Sequence, residues 1–243
     1  MLSSYMKWRL IDTDLADPAF VTAADDAISI AKARGKVANT LHFYRREPPA
    51  ISMGRFQSIK DINLEECKRR GIRIVRRITG GGNIYTDRGC LIYSLTFKQN
   101  NLRDPHDIFR DVCGAMVKAI ERLDVDVIYK EPNDILVNGK KVSGSALIIK
   151  GDTVLIHGTV LVSTDVSLIE KLLLRRANVG VSNLEIESGR EIDINEIKNL
   201  LRKEFENLFS ANMVEGSLTE FELELIDQLI KERYGNERWN YER

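Results

Sequence analysis

Apolar and polar positions recur along the chain with two periods, and the period changes mark its elements. Residues 8–12 predict a short first strand. Residues 17–35 predict a helix, with Asp17 to cap it, Pro18 in its first turn and Gly35 at its end. Residues 39–57 predict two strands broken by Glu47-Pro48-Pro49, and residues 63–71 a short charged helix ending at Gly71. Leu91, Tyr93, Leu95 and Phe97 then alternate with Cys90, Ile92, Ser94 and Thr96, the period of a strand with one strongly apolar face. Together with residues 72–77, this region predicts strand, glycine turn, strand. Within residues 104–124, Ile108, Val112, Met116 and Ile120 recur at helical spacing. Residues 127–163 predict three strands, turning at Asn138-Gly139 and again at Lys150-Gly151-Asp152.

Residues 165–176 predict a helix, and residues 177–193 a loop long enough to suspect function or disorder. Two helices are expected to close the chain, with capping-box spacing at Asp193/Glu196 and at Ser217/Glu220. Hairpins stand beside helices, without strict strand–helix alternation. The pattern therefore predicts an α+β fold with a mixed, largely antiparallel sheet flanked by helices.

A length of 243 residues suits one large domain, expected to span 1–243 with a helical segment at about residues 191–243. Lys plus Arg and Asp plus Glu balance at 36 each, so no global charge points to nucleic acid. Neither a signal peptide nor a membrane-length apolar run is visible, which gives the expectation of a cytoplasmic protein without a membrane partner. Cys67, Cys90 and Cys113 have neither disulfide-framework nor zinc spacing, and buried thiols are the expectation.

The chemistry concentrates in two places. The first is Arg76-Arg77-Ile78-Thr79-Gly80-Gly81-Gly82. Glycines let the main chain approach a ligand, successive N–H groups can cradle an anion, and guanidinium forks suit phosphate oxygens. The run has neither the Walker spacing nor the dinucleotide fingerprint. The competing reading is a flexible hairpin with solvated arginines. Which arginine faces the ligand is open, with strand periodicity favouring Arg77.

The second place is the Asn138-Gly139 hairpin. A two-residue loop pairs Leu136 with Lys141, Ile135 with Val142 and Asp134 with Ser143. Asp134, Lys141, Ser143 and Ser145 then share a polar face, so Lys141 and not Lys140 is expected to point into a site. The competing reading is a lysine on a wet sheet face. His157, beside Thr159 on the returning strand, is a lesser candidate.

With both motifs in view, the chain resembles the lipoate-protein ligase family and its relatives, the octanoyltransferases and biotin ligases. The matching stretches are residues 18–28, 41–57, 75–87, 131–146, 156–165 and the C-terminal "ERWNYER". The resemblance implies the α+β ligase core and a two-step reaction. Lipoate or octanoate and ATP, with Mg2+, give the acyl-adenylate. A specific lysine of a lipoyl domain, on a 2-oxoacid dehydrogenase E2 or the glycine-cleavage H protein, then takes the acyl group.

The same resemblance gives the site. Arg77 and Gly82, Asn83, Ile84 and Tyr85 should contact nucleotide, and Thr79, Gly80, Gly81 and Gly82 should lie along the acyl-adenylate. Lys141 should bridge acyl carbonyl and phosphate as the catalytic residue. Asp134 should lie near the nucleotide and its magnesium. Gly144 and Ala146 should let the sheet approach the ligand. Arg76, Asn133, Ser143, His157 and Thr159 complete the expected nucleotide and acyl contacts, and an apolar channel including Phe43 and Phe56 should hold the chain.

Three departures from the family pattern stand out. Thr86 takes the place of the usual histidine. No accessory domain is expected after "WNYER", so a separate accessory subunit could be needed. Glu131-Pro132-Asn133 offers no cysteine where octanoyltransferases carry their nucleophile. The alternatives are octanoyl transfer from an acyl carrier protein and a non-catalytic binder of lipoyl-adenylate.

Overall fold

The computed structural model describes residues 6–99, 101, 103–175 and 179–242. The chain opens with β1 (Met6–Ala16), α1 (Pro18–Ala33), β2 (Thr40–Arg46), β3 (Ala50–Met53), α2 (Leu64–Arg69), β4 (Arg73–Arg76), β5 (Ile84–Thr86) and β6 (Cys90–Lys98). It continues through α3 (Pro105–Ile120), β7 (Val127–Lys130), β8 (Asp134–Val137), β9 (Lys140–Lys150) and β10 (Thr153–Leu161). The last elements are α4 (Ile169–Leu172), α5 (Leu184–Ser188), α6 (Ile194–Phe209), β11 (Ala211–Glu215), α7 (Glu220–Leu229) and α8 (Glu237–Tyr241).

Eight strands form one mixed sheet in the order β11-β1-β2-β6-β10-β9-β8-β7, and β4-β3-β5 form a small second sheet. Only β1 pairs in parallel within the large sheet, with β11 and with β2. This is the α+β, largely antiparallel architecture that the pattern predicts. Helices α3 and α6 bury their apolar faces on one side of the large sheet, where Val112, Met116, Leu201 and Phe205 meet Phe43, Tyr93 and Leu95. On the other side lies α1. Its alanines Ala19, Ala23, Ala24 and Ala27 leave room for Ile226, Leu229 and Tyr234. Both faces of the central strands are thus covered, which explains why every residue of β10 is buried, Thr153, His157 and Thr159 included.

The predicted helix starts hold where a local cap decides them. Asp17 accepts from the N–H groups of Ala19 and Phe20, and Asp193 from Asn195. The cap expected at Ser217/Glu220 is instead a capping box of Thr219 with Glu222, because the Glu222 carboxylate is also claimed by Arg9. The helix expected over residues 165–176 shrinks to a 3-10 turn and α4. The next residues are captured by Asp61 and Ile62, through Leu174 N–H to the Asp61 carbonyl and a bridge from Leu173 to Ile62. The expected loop contains α5, and its first residues, Ala177 and Asn178, lie outside the described residues. Residues 127–163 hold four strands, not three. The strands flanking the glycine turn do not pair with each other: β4 and β5 both pair with β3.

One register decides the site. Leu136 faces Lys141 as expected, but a bulge then sets Ser143 opposite Ile135 and Gly144 opposite Asp134. Two residues on β9 oppose one on β8, so every later side chain changes face.

Candidate active site

The strand registers draw the floor of a cavity on the α1 side of the sheet. Tyr44, Ile92, Thr159 and Gly144 stand side by side across β2, β6, β10 and β9, ending at Asp134 on β8. A second row runs His42, Ser94, His157, Ala146. The glycine turn closes over these rows, and the space between, about 110 Å³, is bounded by Arg77, Gly81, Asn83, Tyr44, Lys141 and His157 among others.

The bend is held from inside by Arg77. Its Nη2 donates to the carbonyls of Gly80 (2.6 Å) and Gly82 (2.8 Å), its Nη1 to Ser52 O (2.8 Å) and its Nε to Thr79 Oγ1 (3.1 Å). Burial of the guanidinium, with Arg46 nearby, pushes its pKa down to about 10. Gly81 needs to be glycine twice over. Its φ is +86°, and a Cβ there would stand 2.9 Å from Arg77 Nη2. Gly54 is equally constrained, since a Cβ on it would fall 2.0 Å from Gly81 O.

Arg76 corrects an expectation. It points away from the cavity, donating to Gln57 O (2.7 Å), Trp239 O (3.0 Å) and Asn240 O (3.2 Å), and ties α8 to the small sheet. Thr79 and Gly80 do not line the cavity either; they carry the bend from behind. Tyr85 packs into the small-sheet core with Ile51 and Met53.

Behind the bend lies a buried network that sequence reasoning missed. Thr79 Oγ1 is 2.7 Å from His157 Nε2, and His157 Nδ1 is 3.0 Å from Asp25 Oδ2. Asp25 also meets Tyr44 Oη at 2.9 Å and His42 Nδ1 at 3.1 Å, and His42 Nε2 meets Thr13 Oγ1 at 3.0 Å. One proton arrangement satisfies every member. Arg77 donates to Thr79, Thr79 to His157, and His157, Tyr44 and His42 to Asp25. The His157 imidazole is then neutral. Burial lowers the pKa of His157 more than Asp25 raises it, which agrees with that arrangement. Burial alone would push Asp25 up, but the donors His157 and His42 hold it well below the usual carboxylate range. The one sequence signal for this network was a pair of aspartates, Asp25-Asp26, in an alanine-rich helix face that ought to be buried.

Lys141 reaches the cavity as expected, and its Nζ lies 2.5 Å from Asp134 Oδ1, both side chains partly exposed. A Cβ at Gly144 would come within 3.0 Å of Lys141 Nζ and 3.3 Å of Asp134 Oδ1, so this glycine makes room for the pair. Asn133 lines the cavity and donates to Ser145 O. Gly82, Asn83, Ile84, Gly144, Ala146, His157 and Thr159 also line it, as expected.

Ser143 does not. The bulge turns it and Ser145 to the α3 side, where Ser145 meets Tyr93 Oη at 2.7 Å. Phe43 faces that same core, and Phe56 is 73% exposed, so neither forms the expected channel. Tyr44, Ile84, Ile92 and Ala146 supply the apolar wall instead. The remaining missed wall residues are Ser52, Gly158 and Arg46, and the last is 3% exposed.

All three cysteines are buried, and none lines the cavity. Cys113 touches Ser145 Oγ at 3.8 Å from the core side, and burial pushes its thiol up to about 11. Among the described residues, no cluster of three His, Cys, Asp or Glu stands ready to hold a metal ion. No helix among them is long and apolar enough to cross a membrane.

Residues 17–206 match the family model of the lipoyl protein ligase A/B catalytic domain. Octanoyltransferase LipM of Clostridioides difficile is 30% identical over 271 residues, covering 98% of this chain and 99% of that protein. The structure of a bi-partite lipoate protein ligase and its E2 lipoyl domain from Thermoplasma acidophilum superposes with a TM-score of 0.88 at 27% identity, covering 97% of this chain and 96% of that one. Lipoate-protein ligase A bound with ATP superposes with a TM-score of 0.87 at 26% identity, covering 97% and 98% of the two chains.

Proposed function

The chain belongs to the lipoyl protein ligase A/B catalytic family, whose members here are lipoate ligases and octanoyltransferases, and from that premise we propose that it activates lipoate or octanoate with ATP and acylates a lysine of a lipoyl domain. One observation carries the ATP-dependent form. The cavity has a lysine, paired with the Asp134 carboxylate, and a glycine bend, but no thiol on which an acyl group could rest.

In the first step a carboxylate oxygen of the acid attacks the α-phosphorus of ATP, and pyrophosphate leaves. The Lys141 ammonium lies between the two reacting groups and offsets the negative charge gathering on the bridging and phosphoryl oxygens. The glycine bend lets the main chain run along the phosphate without a Cβ in the way, and Arg77 keeps it in that shape. The floor of Tyr44, Ile92 and Ala146 takes the acyl chain and keeps water from the mixed anhydride. Asp134, beside Lys141, would be the residue to hold a magnesium ion, and that ion, when bound, would draw charge from the leaving pyrophosphate. In the second step the neutral amine of the acceptor lysine attacks the acyl carbonyl, AMP leaves and the amine loses a proton.

The similarity to LipM over nearly the whole chain favours a second reading, octanoyl transfer from an acyl carrier protein without ATP. One experiment separates the two. Lipoate, ATP and labelled pyrophosphate are mixed with the protein, and octanoyl-acyl carrier protein is offered to a lipoyl domain in a parallel reaction without ATP. Exchange of label into ATP supports the ligase. Octanoyl mass on the lipoyl domain in the second reaction, with no exchange of label in the first, replaces it with the transferase. A third outcome, tight acid binding with no modified acceptor, identifies a binder.

A further inference from the structure

The C-terminal stretch "ERWNYER" matches the family pattern, yet none of its described residues lines the cavity. Its Trp239 and Asn240 close on Arg76 instead. Arg76 N–H donates to Asn240 Oδ1 (2.8 Å), Arg76 Nε to Trp239 O (3.0 Å) and Arg76 Nη2 to Asn240 O (3.2 Å). Trp239 Nε1 donates back to Arg76 O (2.8 Å). Main chain and side chain of Arg76 are thus both held. Asn240 is buried, and its Nδ2 donates to Tyr234 O (3.0 Å), which fixes its orientation.

Arg76 passes this hold to the glycine bend. Its Nη1 donates to Gln57 O (2.7 Å), Arg55 O (3.2 Å) and Gly54 O (3.3 Å), and so sets the turn that follows β3. The bend rests on that turn. Arg55 N–H donates to Thr79 O (2.9 Å), Arg77 N–H donates to Met53 O (3.0 Å), and Gly54 packs directly against Gly81 O. The same C-terminal segment reaches the other root of the site. Arg233 Nη1 (2.9 Å) and Tyr234 Oη (3.0 Å) both donate to Asp26 Oδ2, on the fully buried neighbour of Asp25. In each adjacent pair, Asp25-Asp26 and Arg76-Arg77, one residue serves the site and the other is gripped by residues 233–240. Three glycines in a row have much backbone freedom to lose, so a fixed bend needs anchors outside itself.

We propose that Trp239 and Asn240 are positioning residues: through Arg76 they hold the turn after β3, and with it the glycine bend, in the shape that receives the phosphate side of the ligand. The role of phosphate rests on the ATP-dependent reading above; the ordering of the bend does not. Arg77 braces the bend from the cavity side and the C-terminal segment braces it from behind.

The test is amide hydrogen exchange of the full chain, read residue by residue by NMR. Asn240→Ala removes the acceptor of Arg76 N–H and the donor to Tyr234 O, but neither partner of the Arg55 and Arg77 amides. Exchange at those two amides is expected to rise at least about tenfold, the scale of one buried hydrogen bond, while the amides of β6 and β10 keep their rates. Asn240→Asp keeps an acceptor for Arg76 N–H and should restore most of the protection. If Asn240→Ala does not fold, Trp239→Phe, which removes the Nε1 donor and keeps an aromatic ring, should raise exchange at the same two amides several-fold. In a folded variant, unchanged rates at Arg55 and Arg77, or a rise shared with β6 and β10, overturn the proposal. In pyrophosphate exchange, Asn240→Ala should raise the KM for ATP by about tenfold. The KM for the acid, which lies along the large sheet, should stay nearly unchanged, and equal rises in both also overturn the proposal. A wild type that exchanges no label sinks the ligase reading alone, and the amide rates still decide the brace.

Discussion

Arg77→Lys tests whether Arg77 shapes the glycine bend or grips phosphate. The guanidinium serves four acceptors spread around it: Ser52 O, Thr79 Oγ1, Gly80 O and Gly82 O. An ammonium has three protons on one atom and cannot span the separate Nε, Nη1 and Nη2 sites. If it keeps two partners, two charge-assisted bonds are lost at about 1.5–3 kcal/mol each, or roughly 3–6 kcal/mol in total. The site is 6% exposed, so solvent does not step in to replace them. That is a large part of the ~5–15 kcal/mol that holds a typical domain together. In a chain of this size it lowers Tm by roughly 6–24 °C. The assays are thermal unfolding, and pyrophosphate exchange as a function of ATP concentration. A scaffold role makes Tm and exchange fall together, because the bend loses its shape. A raised KM for ATP with unchanged Tm would refute the reasoning and return Arg77 to the phosphate-binding part that its motif suggests.

Three further outcomes follow from the same geometry. Lys141→Ala is expected to lower adenylate formation by roughly 100-fold or more, the scale of one electrostatic donor, with Tm nearly unchanged because the side chain is 30% exposed; near-wild-type turnover would remove Lys141 from the reaction. Gly144→Ala places a Cβ 3.0 Å from Lys141 Nζ, so the flexible ammonium end must shift: exchange should drop several-fold while unfolding is little affected, and unaltered exchange would show that the Lys141 position is not critical. His157 has a folded pKa below its unfolded value of 6.5, so the unfolded state binds the extra proton and stability falls as pH drops through that value. Urea unfolding between pH 7 and pH 5 should show this loss, and His157→Gln should flatten it; a slope that survives the substitution places the proton elsewhere.

The glycine bend, the hairpin at Asn138-Gly139 and the helix start at Asp17-Pro18 were legible because their causes are local. Positive φ, a fixed proline ring and a side chain that caps its own helix act within a few residues. The inward aim of Lys141 was legible for the same reason, since the two-residue turn sets the first pair of the ladder. Ser143 was misread one step further on. The bulge that sends it to the α3 side sets Val142 and Ile135 together in the core beneath α3, a packing that the turn itself does not record.

Sequence by itself determined the mixed fold class, the glycine and hairpin motifs and the inward aim of Lys141, because periodicity and turn chemistry are written in neighbouring residues. Tertiary structure alone decided the partners of the buried charges. Asp25 and His157 stand 132 positions apart and meet only when α1 covers β10. Arg76 and Arg77 are adjacent in the chain yet serve α8 and the glycine bend, and Arg46 lines the cavity with no carboxylate paired to it among the described residues. A charge taken from water must be met by whatever the fold brings beside it, and no local pattern records which group that will be.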